Sequence, residues 1–135
     1  RLKLKEGKTS VLEGVPKSLP ALVKAIRIQD KARGIGFDWD NREQVFEKVT
    51  EEIKELQIEV ETGSSRIEDE FGDVLFSLIN YARFIKVNPE TALERTNKKF
   101  IKRFQYIEVQ AKKSNRSIEN LTLVEMEAYW QEAKN

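Results

Sequence analysis

The sequence predicts an all-α fold, a helical bundle of four to five helices. Three observations carry that expectation. Apolar residues recur at steps of three and four through most of the chain. A Glu follows three residues after Asp40, Ser65 and Thr122, the capping-box spacing that opens a helix. No segment alternates apolar and polar residues for long enough to make a strand.

Residues 1–17 are basic and punctuated by Gly7, Gly14 and Pro16. They read as an extended lead-in or linker ahead of a domain spanning 18–135. A first helix is expected after Ser18, with Pro20 in its first turn, running through Leu22, Val23, Ile26 and Ala32 to Gly34 and Gly36. The loop Gly36-Phe37-Asp38-Trp39-Asp40 follows; one reading lays it over a functional site, and the favoured one takes its aromatics as plugs that close the bundle.

The second helix opens with Asp40 as N-cap and ends at Thr62-Gly63, with an apolar stripe of Val45, Val49, Ile53, Leu56 and Val60. The third opens with Ser65, and its stripe is Ile67, Phe71, Leu75, Leu78, Ala82 and Ile85. From Val74 to Ile79 it is apolar nearly all round, interrupted by Ser77. That pattern asks for burial on more than one side. Val74, Leu78 and Ile79 are therefore expected partly at an interface with a partner chain. A fourth helix starts at Asn88-Pro89 and reaches about Lys113, with Ala92, Leu93, Thr96, Phe100, Phe104 and Ile107 as its stripe. A last short helix follows Thr122 and holds Met126, Tyr129 and Trp130.

The chain has 135 residues, enough for one core, and 24 basic against 23 acidic residues. So even a balance argues against a dedicated nucleic-acid binder. No apolar run approaches the roughly 20 residues that span a bilayer, and no signal-peptide pattern is present, so the expectation is a cytoplasmic protein without a membrane segment. Cysteine and histidine are absent. That excludes disulfides, thiolate or imidazole metal sites, and Cys-His or Ser-His catalysis. The available chemistry is that of carboxylates, amines, guanidinium groups, hydroxyls or a bound metal.

Two acid clusters supply it. Glu51-Glu52-x-x-Glu55 and Glu70-x-x-Asp73 each place carboxylates one turn apart on one helix face. Two such helices side by side would aim four or five carboxylates into one space, where a hard cation with all-oxygen ligands relieves their repulsion. The alternative is a solvated face, and for Glu68, Asp69 and Glu70 a favourable interaction with the helix dipole. Against it, Glu47, Glu51, Glu55 and Glu59 form an i, i+4 ladder of like charge, each pair costing roughly 0.2–0.5 kcal/mol. Glu52 and Glu59 lie beside the apolar stripe, where a charge needs a partner. Asp73 directly precedes the apolar run from Val74, too deep to be explained by the dipole. Further on, Lys99 with Arg103, and Trp130 with Lys134, stand one turn apart. Singly these read as surface and packing. Beside a Mg²⁺ cluster they suit polyphosphate chemistry.

The ordered run Val15-Pro16-Lys17-Ser18-Leu19-Pro20-Ala21-Leu22, Gly36-Phe37-Asp38-Trp39, Lys48-Val49-x-Glu51-Glu52-x-x-Glu55-Leu56, Glu70-Phe71-Gly72-Asp73-Val74-Leu75-Phe76 and Asn97-x-Lys99-Phe100-x-x-Arg103-Phe104 resembles the MazG family of all-α nucleoside triphosphate pyrophosphohydrolases. The resemblance covers nearly the whole chain. It implies a domain that forms a homodimer through a four-helix-bundle core. It implies Mg²⁺-dependent (or Mn²⁺-dependent) hydrolysis of nucleoside triphosphates to monophosphate and pyrophosphate. The family's metal ligands fall on Glu52, Glu55, Glu70 and Asp73. Glu51 is placed to bind a further metal or activate water, and substrate contacts fall on Lys48, Arg66, Lys99, Arg103, Trp130 and Lys134. Members often carry two such domains in tandem, and this chain resembles the C-terminal, catalytic one. Relatives that act on dUTP, dCTP or phosphoribosyl-ATP, and a non-catalytic helical dimer, are the alternatives. The intact acid set speaks against the last.

Overall fold

The computed structural model describes residues 10–39 and 41–135. Among these the chain forms α1 (Ala21–Gly34), α2 (Arg42–Thr62), α3 (Ile67–Phe84), α4 (Pro89–Lys113), a 3-10 turn (Ile118–Asn120) and α5 (Leu123–Lys134), with no strand. The fold is all-α, as the periodicity predicts. The chain divides into two compact units, Arg1–Glu90 and Thr91–Asn135.

In the first unit α3 packs along α2 and against α1. Residues 10–19 run as successive turns, and the Lys24 ammonium reaches back to the Lys17 carbonyl at 2.8 Å. The N-cap of α2 is Asn41, whose Oδ1 accepts from the Gln44 N–H at 2.9 Å; Asp40, the expected cap, lies outside the described residues. At the other end Gly63 takes φ 65°, and the bond from Ser64 N–H to the Glu59 carbonyl closes the helix. Ser65 does not cap α3. Arg66 stands at that position without a side-chain cap, and the Ser64 Oγ accepts from the Arg66 N–H at 2.9 Å. Ser64 takes the part because its hydroxyl is already anchored on the Glu59 carboxylate.

The buried face of this unit is not the apolar stripe read from the sequence. On α2, Val45 and Val49 are buried as expected, but the face continues through Glu52, while Ile53 and Val60 are exposed. On α3, Glu70, Val74, Ser77, Ile79 and Ala82 are buried, and Phe71, Leu75, Leu78 and Ile85 are exposed. Val74 and Ile79, expected partly at an interface, are covered within the chain; Leu78 is not. The physical reason is that both helices turn carboxylates inward, so part of their apolar surface faces out. Phe37 and Trp39, expected as plugs, are exposed at 79% and 46%.

In the second unit the C-terminal half of α4 packs with α5 around Ile107, Ala111 and Leu121, flanked by Phe104, Ile118, Met126, Tyr129 and Trp130. Asn88 accepts from the Glu90 N–H at 3.0 Å, so α4 begins where Asn88-Pro89 predicts. Thr122 and Glu125 form the full reciprocal capping box at α5. Arg116 clamps this corner, donating to the Glu125 carboxylate and, at 2.6 Å, to the Asn120 carbonyl. Residues 91–102 of α4 are exposed throughout, so Ala92, Leu93, Thr96 and Phe100 are not the buried stripe expected; burial starts at Phe104 and Ile107.

Candidate metal centre

α2 and α3 bring both acid clusters of the first unit together. Glu51, Glu52 and Glu55 form one group, and Glu52, Glu70 and Asp73 a second, each with ligand oxygens within 4.8 Å of one another. Glu52 belongs to both and is their hinge. It is 7% exposed and Glu70 is 5% exposed, so two carboxylates stand at core positions on facing helices. Each has one oxygen accounted for. The Lys48 ammonium lies 2.8 Å from Glu52 Oε2 and 3.1 Å from Glu51 Oε1. The Arg66 guanidinium donates to Glu70 Oε2 at 2.9 Å.

The other two oxygens, Glu52 Oε1 and Glu70 Oε1, are buried without a donor among the described residues. A buried carboxylate oxygen left unpaired costs free energy, so a cation or donor from outside the chain is the natural complement. The surrounding charges are shifted accordingly. Glu52 beside it, then partial burial and Glu70, hold the Glu55 carboxyl above its ordinary value. Hydrogen bonds to Glu52 and Glu51 hold Lys48 well above the usual lysine range, so it stays an ammonium. All donors in the two groups are carboxylate oxygens, the set that hard divalent cations prefer. These residues fit a divalent metal.

A cavity of about 630 Å³ adjoins the cluster, with Lys48, Glu52 and Asp73 in its wall. The Gly36–Trp39 loop borders it. Asp38 is paired with Arg83 of α3 through two hydrogen bonds of 3.0 and 3.3 Å, and this guanidinium holds its carboxyl below the ordinary value. Asp38, Trp39, Gln29, Asn80 and Arg83 were not marked as site residues by spacing. The available signal was a pair of aromatics in a loop led by glycine, where packing demand is low.

Lys99, Arg103, Trp130 and Lys134 belong to the second unit. There Arg103 lies over the Trp130 ring, 5.5 Å from its centroid, and Phe100 tilts against the same ring at 5.3 Å. Trp130 thus already supports a cation and an aromatic. Lys99 and Arg103 line a basic pocket with Lys102, Tyr106 and Lys113. Lys134 is exposed and closes α5.

Residues 40–107 match the family described as the MazG nucleotide pyrophosphohydrolase domain. The chain is 41% identical over 128 residues to a nucleoside triphosphate pyrophosphohydrolase/pyrophosphatase MazG of Thermotoga maritima, covering 94% of this chain and 49% of that protein. It is 37% identical over 128 residues to a nucleoside triphosphate pyrophosphohydrolase of Escherichia coli K12, covering 93% and 49%. It is 46% identical over 128 residues to the uncharacterized protein YabN of Bacillus subtilis, covering 93% and 26%. The chain therefore spans about half the length of the first two relatives. No helix among the described residues is long and apolar enough to cross a membrane.

Proposed function

The chain belongs to the MazG nucleotide pyrophosphohydrolase family, and on that premise we propose that it hydrolyses nucleoside triphosphates between the α and β phosphates, giving monophosphate and pyrophosphate. Residues 18–135 act as the catalytic domain and the enzyme works as a cytoplasmic homodimer; of the lead-in expected over residues 1–17, residues 1–9 lie outside the described residues. The observation that carries the reading is the pair of buried carboxylates, Glu52 and Glu70, each with one oxygen that none of the described residues satisfies. Glu52, Glu55, Glu70 and Asp73 would hold Mg²⁺ or Mn²⁺, which supplies positive charge at phosphoryl oxygens and lowers the pKa of a bound water.

The chain's own groups divide the remaining work. Glu51 is tied through Oε1 to Lys48, and its second oxygen is free to take a proton from the attacking water. Lys48 keeps Glu51 and Glu52 in one orientation and adds a fixed positive charge at the rim. Arg66 orients Glu70 and presents its remaining N–H donors to phosphate. Lys99 and Arg103 stabilise charge on the pyrophosphate leaving group. Lys134 is a further substrate contact, and Trp130 stacks on the base or sugar.

The test is release of pyrophosphate and monophosphate from nucleoside triphosphates, with and without excess chelator. Turnover that needs added Mg²⁺ or Mn²⁺ and yields intact pyrophosphate is expected. Orthophosphate as the first product, or full activity in chelator, would overturn the reading.

A further inference from the structure

We propose that Arg83 is a positioning residue for the hydrolysis: its ion pair with Asp38 fixes the Gly36–Trp39 loop on α3. Resting on the proposed hydrolysis of nucleoside triphosphates, this role belongs to a residue outside both metal groups. The loop has little else to hold it. Gly36, at φ 97°, turns the chain out of α1. The N–H groups of Ile35, Gly36 and Phe37 bond back to the Ala32 and Arg33 carbonyls at the end of that helix. Beyond Phe37 this support ends. The Trp39 N–H bonds within the loop, to Asp38 Oδ1 at 2.9 Å, and the Phe37 and Trp39 rings are exposed. Among the described residues, the loop's hydrogen bonds to α3 are the two from Arg83 to Asp38, at 3.0 and 3.3 Å.

Arg83 is prepared for that contact. Asn80, one turn earlier on α3, accepts from the same guanidinium, and the Phe84 ring centroid lies 4.9 Å from its Cζ. Two supports thus orient the fork, and both Asp38 oxygens are engaged, the geometry in which an arginine pair is strongest. The two side chains are only 16% and 22% exposed, so water screens this pair less than one at the surface. Phe37, Asp38 and Trp39 share the wall of one cavity with Lys48, Glu52 and Asp73. A loop already held keeps that cavity in shape, whereas a loose one must be ordered when substrate binds. Loss of the tie therefore acts on binding and spares the chemical step. If the loop keeps its place in one molecule in ten, apparent affinity falls about tenfold.

Arg83→Gln and Asp38→Asn each remove the ion pair, and the asparagine keeps an acceptor for the Trp39 N–H. Each should raise KM for a nucleoside triphosphate about tenfold and leave kcat within about twofold of wild type. Arg83→Lys, which offers a point charge in place of a fork, should fall between them and wild type. The double variant should be no worse than either single one, because both remove the same interaction. The Mg²⁺-induced melting shift should remain. Chymotrypsin, which cuts after aromatic residues, reads the loop without substrate: cleavage after Phe37 or Trp39 should quicken in both single variants. Where Arg83→Gln does not fold, Asp38→Asn decides alone. A fall in kcat at constant KM, additive effects in the double variant, or unchanged cleavage would overturn the proposal. So would loss of the Mg²⁺ shift in Asp38→Asn, which would make Asp38 a ligand. If wild type releases pyrophosphate and the variants match its KM, the tie fails and the hydrolase reading stands. If wild type releases none while the variants are cut faster, the hydrolase reading fails and the tie stands.

Discussion

Lys48 and Glu52 stand one turn apart on α2 with their charges 2.8 Å apart, and the second oxygen of Glu52 is buried without a donor. Lysine thus satisfies half of a core carboxylate and leaves the other half without a donor among the described residues. Added Mg²⁺ or Mn²⁺ should therefore raise the melting temperature. At a free concentration a hundredfold above Kd the gain is about 2.7 kcal/mol. Glu52→Gln should abolish that gain and cut turnover by at least about 10²-fold. The metal-free variant should still fold, because Lys48 is partly exposed and its pair with Glu52 is worth at most about 1 kcal/mol. Differential scanning fluorimetry with and without metal decides it; an undiminished shift in Glu52→Gln would remove Glu52 from the metal set.

Where helices begin and end was legible because the signals are local. Thr122 with Glu125, Asn88-Pro89 and the left-handed Gly63 act through neighbours a few residues away. The acids were legible because like charge at i, i+4 has a cost that a merely soluble helix avoids. Which face turns inward was not. Periodicity assumes that apolar means buried, but Glu52, Glu70 and Ser77 hold core positions while Phe71, Leu75 and Leu78 face out. Gln29 was invisible for another reason: it sits singly on α1, and its partner, the Phe76 carbonyl, lies 47 residues on, in α3.

The exposed face makes its own prediction. Phe71, Leu75 and Leu78 form a stripe along α3, and Phe46, Ile53 and Val60 recur every seventh residue along α2, all more than 40% exposed. Such apolar area on a lone chain marks an interface. Gly72 adds to it. Within α3 a glycine costs roughly 0.5–1 kcal/mol against alanine, and none of the described residues fills the space where its Cβ would stand. Close approach by a second copy gives that glycine a reason. Light scattering at micromolar concentration should report a dimer, and Leu75→Glu should shift it to monomer. A wild-type monomer with full activity would contradict this.

Glu125 predicts an acid sensitivity in the second unit. Arg116 first, then the Thr122 N–H, lower its pKa from the ordinary 4.5 to about 2. A carboxyl depressed on folding binds fewer protons in the native state, so stability is lost as pH falls. The contribution is complete above about 4.5 and disappears as pH approaches about 2. Glu125→Gln keeps the capping-box acceptor for Thr122 and removes only the charge paired with Arg116. It should lower the melting temperature at pH 7 and flatten its dependence between those pH values. An unchanged slope would mean that the Arg116 pair adds nothing to folding.

Cleavage between the α and β phosphates has its own test. Carboxylate-held metal can serve attack at any of three phosphorus atoms, so the acid cluster alone does not choose. The proposed cleavage sets the α-phosphorus against the acid cluster, with Glu51, tied to Lys48, as the proton acceptor. Attack at the α-phosphorus expels pyrophosphate in one step, with no diphosphate intermediate. Hydrolysis in ¹⁸O-water should place the label in the monophosphate. Lys99→Ala and Arg103→Ala should each lower turnover by about 10²–10³, as expected when one charge-stabilising group is lost at the leaving group. Glu51→Gln should lower turnover while leaving the metal-induced melting shift largely intact, because its part is to accept a proton. Label in pyrophosphate would mean that the β-phosphorus is attacked.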